Sequence, residues 1–293
     1  MEVQMTNMPS SKTEPYDAVR IFTEDTIFET AAFKRPYRPT RSSILFVYKG
    51  CIKMREQINT IEIVSASFLL INTKYVYEIL EIEPHTEFRL LGYDRHLIEN
   101  STFQLNKIKV FKDLKNQLKR IYTISPTEFT LFWENLKLLT FYMEQGQTIT
   151  YSEQIIQNYF NILLYHLVGI VAPLQEEEIA QLNRQQKLTY SFVNLVSDHY
   201  LKAKNVQFYA DRLQVSIRYL SAVVKQVSQR TPNQIISEFI LNEAKAQMGD
   251  PAMTLKEIAT KLHFSDQYAF THFFKKHLNM SPTHYRSLIA KDK

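Results

Sequence analysis

The strongest constraint on the fold is an internal duplication near the C-terminal end. The segments Tyr209 to Pro232 and Ile258 to Arg286 align with each other, first at an offset of 49 residues and then at 50. The matching pairs are Ala210 and Ala259, Leu213 and Leu262, Val215 and Phe264, Ser216 and Ser265, Leu220 and Phe270, Val224 and Phe274, Lys225 and Lys275, and Pro232 and Pro282. Apolar positions can align by chance, but a matching serine, lysine and proline together indicate one structural unit present twice.

Each copy predicts a helix, a short turn and a second helix. In the first copy the turn is Gln214-Val215 and Ser216 caps the second helix. In the other copy the turn is His263-Phe264 and Ser265 is the predicted cap. Two helices joined by such a turn form a helix-turn-helix, whose second helix enters the major groove of DNA. The predicted units cover about residues 206–227 and 255–276.

A single long helix is predicted between the two units, over residues 232–248 behind a Thr231 cap. At about 1.5 Å per residue it spans roughly 24 Å. Such a rod would hold two recognition helices at a separation near one turn of DNA, roughly 34 Å. Each short unit also needs a third helix to bury its core, and the candidates are Leu188 to Leu201 and Pro282 to Ala290.

Charge is distributed unevenly along the chain. Residues 183–293 contain 16 Lys and Arg against 8 Asp and Glu, whereas residues 1–182 contain 19 against 22. A basic segment joined to a near-neutral one is typical of a nucleic-acid-binding module attached to a partner domain.

The pattern IAxxLxFSDxxxFxxxFKKxxxxSPxxYR, from Ile258 to Arg286, resembles the signature of the AraC/XylS transcription regulators. FYADRLQVSIRYL and LNEAKAQM resemble the first helix-turn-helix and the connecting helix of that family. The resemblance covers the basic segment and implies a DNA-binding domain over residues 187–290. It further implies a cytoplasmic bacterial regulator, more often an activator, whose partners are double-stranded DNA, RNA polymerase and a small-molecule effector.

The chain departs from the family pattern at several positions. His263 and Gln229 stand where the family usually has glycine, which predicts either a left-handed residue that carries a side chain or a slightly different turn. Ile240 and His272 stand where it usually has arginine. His272 cannot make the bidentate contact that arginine makes with guanine, and Ala222 offers no donor where a long polar side chain is common.

The candidate DNA-contacting residues lie on the second helix of each unit. Arg218 is the leading base-contacting candidate of the first unit, with Ser221 on the same face and Tyr219 at its edge. The alternative for Arg218 is a phosphate contact or a solvated side chain. In the second unit the predicted face consists of Gln267, Tyr268, Thr271 and His272. The predicted phosphate contacts are Lys225, Lys275 and Lys276, which would fix register without reading sequence. Arg286 either contacts phosphate or stabilises the fold internally.

Residues 1–105 predict a β domain of short strands separated by polar breaks, a pattern of sandwiches and barrels. With the family resemblance, we expect a cupin-like β-barrel that senses a signal. Candidate ligand-lining residues are Phe46, Tyr48, Met54 and Tyr77, with the alternative that they only fill a core. A basic run before the first clear strand indicates an exposed arm or a contact with an anionic effector; it consists of Lys34, Arg35, Arg38 and Arg41.

Residues 106–174 predict helices that mediate homodimerisation, with the alternative that they only pack on the β domain; they complete an α+β multidomain fold. A stripe formed by Ile108, Phe111, Leu114, Leu118 and Ile121 predicts the first of these helices. Capping boxes at Ser125 to Glu128 and at Thr150 to Glu153 predict the starts of the next two. The polar segment 175–186 is the predicted linker to the DNA-binding domain.

Other functional classes find little support in the residues. A cupin-type metalloenzyme needs clustered histidines and a carboxylate, but the β domain offers only His85 and His96. Methyl-transfer DNA repair needs reactive cysteines beside the DNA module, and Cys51 is the only cysteine. No phosphate-binding loop, nucleophile elbow, secretion signal or membrane span is apparent. We therefore expect no enzyme, cofactor or metal; a regulator controlled by protein partners without a ligand is the remaining alternative.

Overall fold

Eight strands precede nine helices in the part of the chain that the structure describes. This computed structural model describes residues 19–24, 26–27, 34–94, 120–145 and 149–291. The strands are β1 Val19–Thr23, β2 Ser42–Lys49, β3 Cys51–Glu56, β4 Asn59–Val64, β5 Ser67–Ile71, β6 Tyr77–Ile82, β7 Glu87–Tyr93 and β8 Ile121–Thr123. The helices are α1 Pro126–Gln145, α2 Ser152–Gln181, α3 Arg184–His199, α4 Val206–Arg212, α5 Ile217–Ser228, α6 Pro232–Met248, α7 Leu255–Lys261, α8 Gln267–Leu278 and α9 Pro282–Lys291.

The strands form two antiparallel sheets, so the predicted closed barrel is wrong. The five-stranded sheet has the order β1-β7-β2-β5-β8 and the three-stranded sheet has the order β4-β3-β6. Three of the four described connections between the sheets contain a residue with positive φ, namely Gly50 at 84°, Ala66 at 55° and His85 at 62°, whereas the connection from β5 to β6 contains none. A left-handed residue interrupts the extended ladder. The described strands therefore turn a corner at these points and stack as two layers with open edges.

The five-stranded sheet is apolar on both faces because alternate residues of its strands point to opposite sides. Leu45 and Val47 of β2 face the three-stranded sheet. Ile44 and Phe46 face the helices α1 and α2 instead. Phe46 lies with its ring centroid 5.9 Å from that of Phe132 in α1. The N-terminal part is thus built of three layers, with the five-stranded sheet in the middle.

The start of α1 confirms one of the two predicted capping boxes. The Ser125 Oγ accepts a hydrogen bond from the Glu128 N–H at 3.2 Å, and the Ser125 hydroxyl donates to the Glu128 carboxylate at 2.8 Å. The box predicted at Thr150 is wrong, because α2 begins after Tyr151, which has φ 62° and no side-chain cap bond. Ile121 lies in β8, while residues 106–119 of the predicted helix lie outside the described residues.

The helices α3 to α9 form the duplicated part of the chain. α4 and α5 make the first helix-turn-helix, α7 and α8 the second, and α6 connects them over the range predicted from the sequence. α3 packs on the first unit and α9 on the second, as the third helices that each short unit needs. The segment predicted as a linker, 175–186, is helical except for residues 182 and 183, which separate α2 from α3.

Candidate nucleic-acid interface

The second helices of the two units, α5 and α8, begin and end in the same way. Ser216 caps α5 by accepting from the Tyr219 N–H, and Asp266 caps α8 by accepting from the Ala269 N–H. The predicted cap Ser265 is therefore wrong by one residue. Ser265 is the one additional residue in the second copy, and it changes the offset between the copies from 49 to 50. From the caps Ser216 and Asp266 onward, α5 and α8 therefore correspond position by position.

The turns before these helices also repeat each other. Gln214 and His263 have φ of 55° and 53°. In both turns the next N–H donates to a carbonyl five residues back: Val215 to Ala210 at 3.0 Å, and Phe264 to Ala259 at 2.9 Å. The prediction of a left-handed residue at His263 is confirmed, and the identical hydrogen bond compensates part of the strain that its side chain causes.

One face of each helix fills the core of its unit. Leu220, Val223 and Val224 of α5 are buried, as are Phe270 and Phe274 of α8. This burial turns the opposite faces toward solvent, and those faces carry the predicted DNA-contacting residues. Among these residues Arg218, Tyr219, Lys225, Gln267, Tyr268, His272, Lys275 and Lys276 are exposed, while Ser221 and Thr271 are half-buried.

The cations on these faces lack an ion-pair partner in the part of the chain that the structure describes. Arg218, Lys225, Lys275 and Lys276 make no ion pair within the described residues. By contrast, Arg55 in β3 pairs with Glu78 in β6. An unpaired, solvent-exposed cluster of positive charge is a surface that a phosphate backbone can neutralise.

Sequence reasoning missed one residue of this surface. Ile217 occupies the first position of α5 and remains 41% exposed. Its counterpart at the offset of 50 is Gln267, which was predicted to face DNA. Aligning the two helices by their caps would have identified Ile217 as well.

Lys204 links the two units to each other. Its Nζ donates to the His263 carbonyl at 2.8 Å and lies 3.5 Å from the centroid of the Phe264 ring. Burial lowers the pKa of Lys204 to about 8. The residue lies before α4 of the first unit and contacts the turn of the second, so it helps to fix how the two recognition helices are arranged.

Arg286 is half-buried. Its Nε and Nη2 are shielded from solvent and lack a hydrogen-bond partner among the described residues. Of the two roles considered for this residue, the internal one fits this placement.

The N-terminal sheets contact the connecting helix α6 through Arg38. The Arg38 Nε donates to the Glu243 carboxylate at 2.5 Å, and its Nη1 donates to the Thr73 carbonyl at 3.1 Å. Its Nη2 donates to the Tyr200 hydroxyl. Glu243 is only 7% exposed, so Arg38 neutralises a buried carboxylate of the DNA-binding domain. The prediction that Arg38 lies in an exposed arm is therefore wrong.

The tip of the β3–β4 hairpin is held at two further points. The Asn242 side-chain amide donates to the Gln57 carbonyl at 2.8 Å, and Arg230 donates to the Ile58 carbonyl at 3.1 Å. Gln57 has φ 52°, and its side-chain carbonyl accepts from the Val76 N–H at 3.0 Å. The hairpin tip thus lies between two donors, Arg230 just before α6 and Asn242 within it.

A buried polar cluster lies directly behind that hairpin. Arg120 donates to the Glu56 carboxylate at 2.8 Å and to the Tyr77 hydroxyl at 2.9 Å. Its guanidinium lies 3.8 Å from the centroid of the Tyr75 ring, and Tyr75 meets Phe239 of α6 edge-on at 5.7 Å. Burial raises the pKa of Glu56, an effect that Arg120 partly offsets.

The four candidate ligand-lining residues do not share one site. Met54 lines an apolar cavity between the two sheets, of about 10 Å³. Phe46 packs under α1, Tyr48 stacks on Trp133 at 4.9 Å, and Tyr77 belongs to the Arg120 cluster. The cavity is lined by Ile27, Tyr37, Leu45, Ile52, Met54, Ile71, Ile79, Ile82, Phe88 and Leu90, and it has the space of about one water molecule.

Metal ligation and membrane insertion find no support in the described residues. No three His, Cys, Asp or Glu side chains are grouped as a metal would require; His96 lies outside the described residues. None of the described helices has the length and apolar character needed to cross a membrane.

Comparison with known proteins places the duplicated segment in a family. A family model described as a helix-turn-helix domain, of the AraC type, matches residues 209–287. The Msm operon regulatory protein of Streptococcus mutans is 20% identical over 255 residues, which cover 85% of each chain. The raffinose operon transcriptional regulatory protein RafR of Pediococcus pentosaceus is 23% identical over 98 residues, 33% of this chain and 35% of RafR.

Two solved structures also align with this chain. ToxT from Vibrio cholerae aligns over 92% of this chain and 97% of its own, with 13% identity and a TM-score of 0.41. The C-terminal domain of AraT, a response regulator from Geobacillus stearothermophilus, aligns over 36% and 88% with 22% identity and a TM-score of 0.34. Together with the duplicated helix-turn-helix geometry, the matched family model identifies residues 209–287 as a helix-turn-helix domain of the AraC type, and the two relatives named above are operon regulatory proteins.

Proposed function

We propose that this regulator inserts α5 and α8 into consecutive major grooves of one operator. The observation that carries the proposal is the position-by-position match of two recognition helices with exposed, internally unpaired faces. α6 has 17 residues and spans roughly 25 Å, which suits two sites about one turn of DNA apart. The proposed site of action is the bacterial cytoplasm, with RNA polymerase as a further partner and activation as the outcome.

Selection from a randomised duplex library tests this proposal. The full-length protein is expected to recover a motif with two boxes about one helical turn apart. Its affinity should fall steeply with salt, because Lys and Arg side chains displace counterions from phosphates. Replacing Lys275 and Lys276 by Ala should weaken binding to all sequences and make it less sensitive to salt. Salt-dependent binding without any motif would contradict sequence-specific recognition.

We further propose that α1 and α2 mediate homodimerisation. Leu131, Leu138 and Phe141 lie on the side of α1 opposite its buried residues and are 58%, 44% and 51% exposed. Ile162 of α2 is 46% exposed. Since α1 and α2 cover one sheet with their other faces, this apolar stripe faces away from the protein, and a second copy would bury it.

Sedimentation velocity tests the dimer. Replacing Leu131 and Phe141 by Glu should convert the dimer to a monomer without unfolding it. Val64→Glu is the matched control, because Val64 is an equally exposed apolar residue, at 44%, in the edge strand β4. Dimers that persist in the doubly substituted protein, or that are lost with Val64→Glu, would contradict the assignment.

Control of DNA binding by the N-terminal domain is the third part of the proposal. The domain contacts α6 through Arg38, Gln57 and Tyr75, while α5 and α8 keep their faces exposed. A signal that shifts the sheets would therefore act on the helix that joins the two recognition helices and not by covering them. The coupling rests on a buried ion pair and a buried hairpin tip, which break in an all-or-none manner.

The small cavity favours a second candidate, a regulator controlled by protein partners without a small ligand. A space of about 10 Å³ between the sheets admits no effector unless the sheets separate. Met54→Trp distinguishes the candidates, because a bulky side chain fills the cavity permanently. A regulator that needs a ligand there should lose its response to that ligand, whereas one controlled by partners should keep its regulation in cells.

A further inference from the structure

The two recognition helices share a backbone but present different side chains at equivalent positions. The helices have the same length of 12 residues, a side-chain cap before the first turn and a left-handed residue after the last. The equivalent pairs on the exposed faces are Ile217 and Gln267, Arg218 and Tyr268, Ser221 and Thr271, and Ala222 and His272. Because the frames match, a difference in the DNA bases recognised must arise from these four pairs.

The first turn of α5 combines an apolar group with a cation. Ile217 is 41% exposed and so is available to a partner. Arg218 beside it is exposed and makes no ion pair or hydrogen bond within the described residues. In the major groove a guanidinium pairs bidentately with guanine O6 and N7, and a small apolar side chain contacts the thymine methyl. Ala222, one turn later, adds another apolar group and no donor.

The corresponding face of α8 carries no Lys or Arg at the four positions. Tyr268 stands in the place of Arg218 and is 81% exposed. Gln267 presents a carboxamide, which pairs with adenine N6 and N7. The Thr271 hydroxyl donates to the Gln267 backbone carbonyl at 2.8 Å, so its proton is already used. The cations Lys275 and Lys276 follow about a turn further along, where phosphate contacts are expected.

We propose that the two operator boxes differ in base class. The box under α5 contains a guanine next to a thymine, recognised by Arg218 and Ile217, and the box under α8 consists of A·T pairs, recognised through Gln267 and Tyr268. This assignment rests on the proposed function, since it takes α5 and α8 to be the recognition helices.

Library selection with substituted proteins tests the assignment of boxes. Arg218→Ala should reduce guanine discrimination by about fivefold or more in one box and leave the other unchanged. Gln267→Ala should reduce adenine discrimination in the other box alone. A guanine requirement in both boxes, or one box altered by both substitutions, would overturn the assignment while the two-box function stands. A library that yields no motif would instead contradict the function itself.

Deoxyuridine tests the thymine contact, because it differs from thymidine only in lacking the methyl group. Placing it beside the guanine of the α5 box should weaken binding of the wild-type protein about fourfold, the effect of one buried methyl-sized group. Ile217→Ala should bind both duplexes equally. Val227→Ala serves as the control, since Val227 is a 38% exposed residue near the other end of α5, and it should retain the fourfold difference. An undiminished difference in Ile217→Ala would overturn the assignment of Ile217.

Discussion

Gln229 and Asn279 end the two recognition helices in the same left-handed conformation, with φ of 59° and 55°. Each N–H donates to the carbonyl four residues before it, on Lys225 at 3.0 Å and on Lys275 at 2.8 Å. A left-handed residue with a Cβ costs about 1–2 kcal/mol, and asparagine tolerates the conformation better than most residues. The two copies therefore carry unequal strain at equivalent positions.

Gln229→Gly should raise the free energy of unfolding by about 0.5–1 kcal/mol. Glycine removes the left-handed strain, and the greater freedom of the unfolded chain offsets part of that gain. Asn279→Gly should give a smaller increase. Urea unfolding followed by circular dichroism measures both values. An equal or larger increase in the free energy of unfolding for Asn279→Gly would contradict the conclusion that Gln229 is the more strained of the two residues.

Gly50→Ala should lower the free energy of unfolding by roughly 1–3 kcal/mol, the cost of a strained backbone. Gly50 has φ +84°, and an added Cβ would lie 2.3 Å from the Thr86 Oγ1 and 2.8 Å from its Cα. Gly169→Ala is the matched control, because nothing lies within 4 Å of its added Cβ. In a helix that substitution should stabilise by about 0.5–1 kcal/mol. Urea unfolding of both variants at the same protein concentration provides the comparison. Equal changes in the free energy of unfolding would contradict the backbone strain expected of a side chain at Gly50.

The duplicated part of the chain could be predicted closely because its signals are local. Caps such as Thr231 and Thr254, and the apolar spacing around Phe270, act within a few residues of the structure that they determine. The extent of α6 followed directly from such signals, whereas the left-handed residue at His263 was predicted from the glycine that the resembled family usually has there. The cap of α8 was misplaced because Ser265 and Asp266 are both good caps, and only the folded turn selects between them.

The N-terminal part was predicted less well because long-range contacts determine it. Strand spacing gives the number of strands, but not whether their edges meet, so an open pair of sheets and a barrel look alike in sequence. The contact between Arg38 and Glu243 joins residues 205 positions apart, and no local pattern marks it. Met54 and Phe46 both appear as core residues, yet only Met54 faces the space between the sheets.

Lys204 should make stability depend on pH in the alkaline range. Burial lowers its pKa from 10.5 to about 8, so the folded chain binds this proton less tightly than the unfolded chain. The free energy of unfolding should therefore gain a contribution as pH rises from about 8 toward 10.5. Urea unfolding at pH 7.5 and pH 9.5 should show a larger gain in the wild-type protein than in Lys204→Met, in which burial still lowers the pKa of Lys245. The same pH dependence in both proteins would contradict the assignment to Lys204.

Arg38→Ala should uncouple the N-terminal sheets from the DNA-binding domain. Truncating one partner of a buried, hydrogen-bonded charge pair costs about 2–5 kcal/mol at an interface, because Glu243 would keep its buried charge. Trp133 is the only tryptophan and lies buried in α1, so its fluorescence reports unfolding of the N-terminal part alone. Operator DNA binds the folded protein and should raise the temperature of the Trp133 transition in the wild-type protein.

The Arg38→Ala protein should lose that shift, since a ligand on one domain stabilises the other only through the contacts that join them. Arg41→Ala is the matched control, because Arg41 pairs with Asp94 at 3.2 Å inside the N-terminal part. The control should keep the shift even if its unfolding temperature is lower. If operator DNA raises the Trp133 transition equally in Arg38→Ala, then the ion pair with Glu243 does not carry the coupling, and the hairpin tip at Gln57 becomes the contact to substitute next.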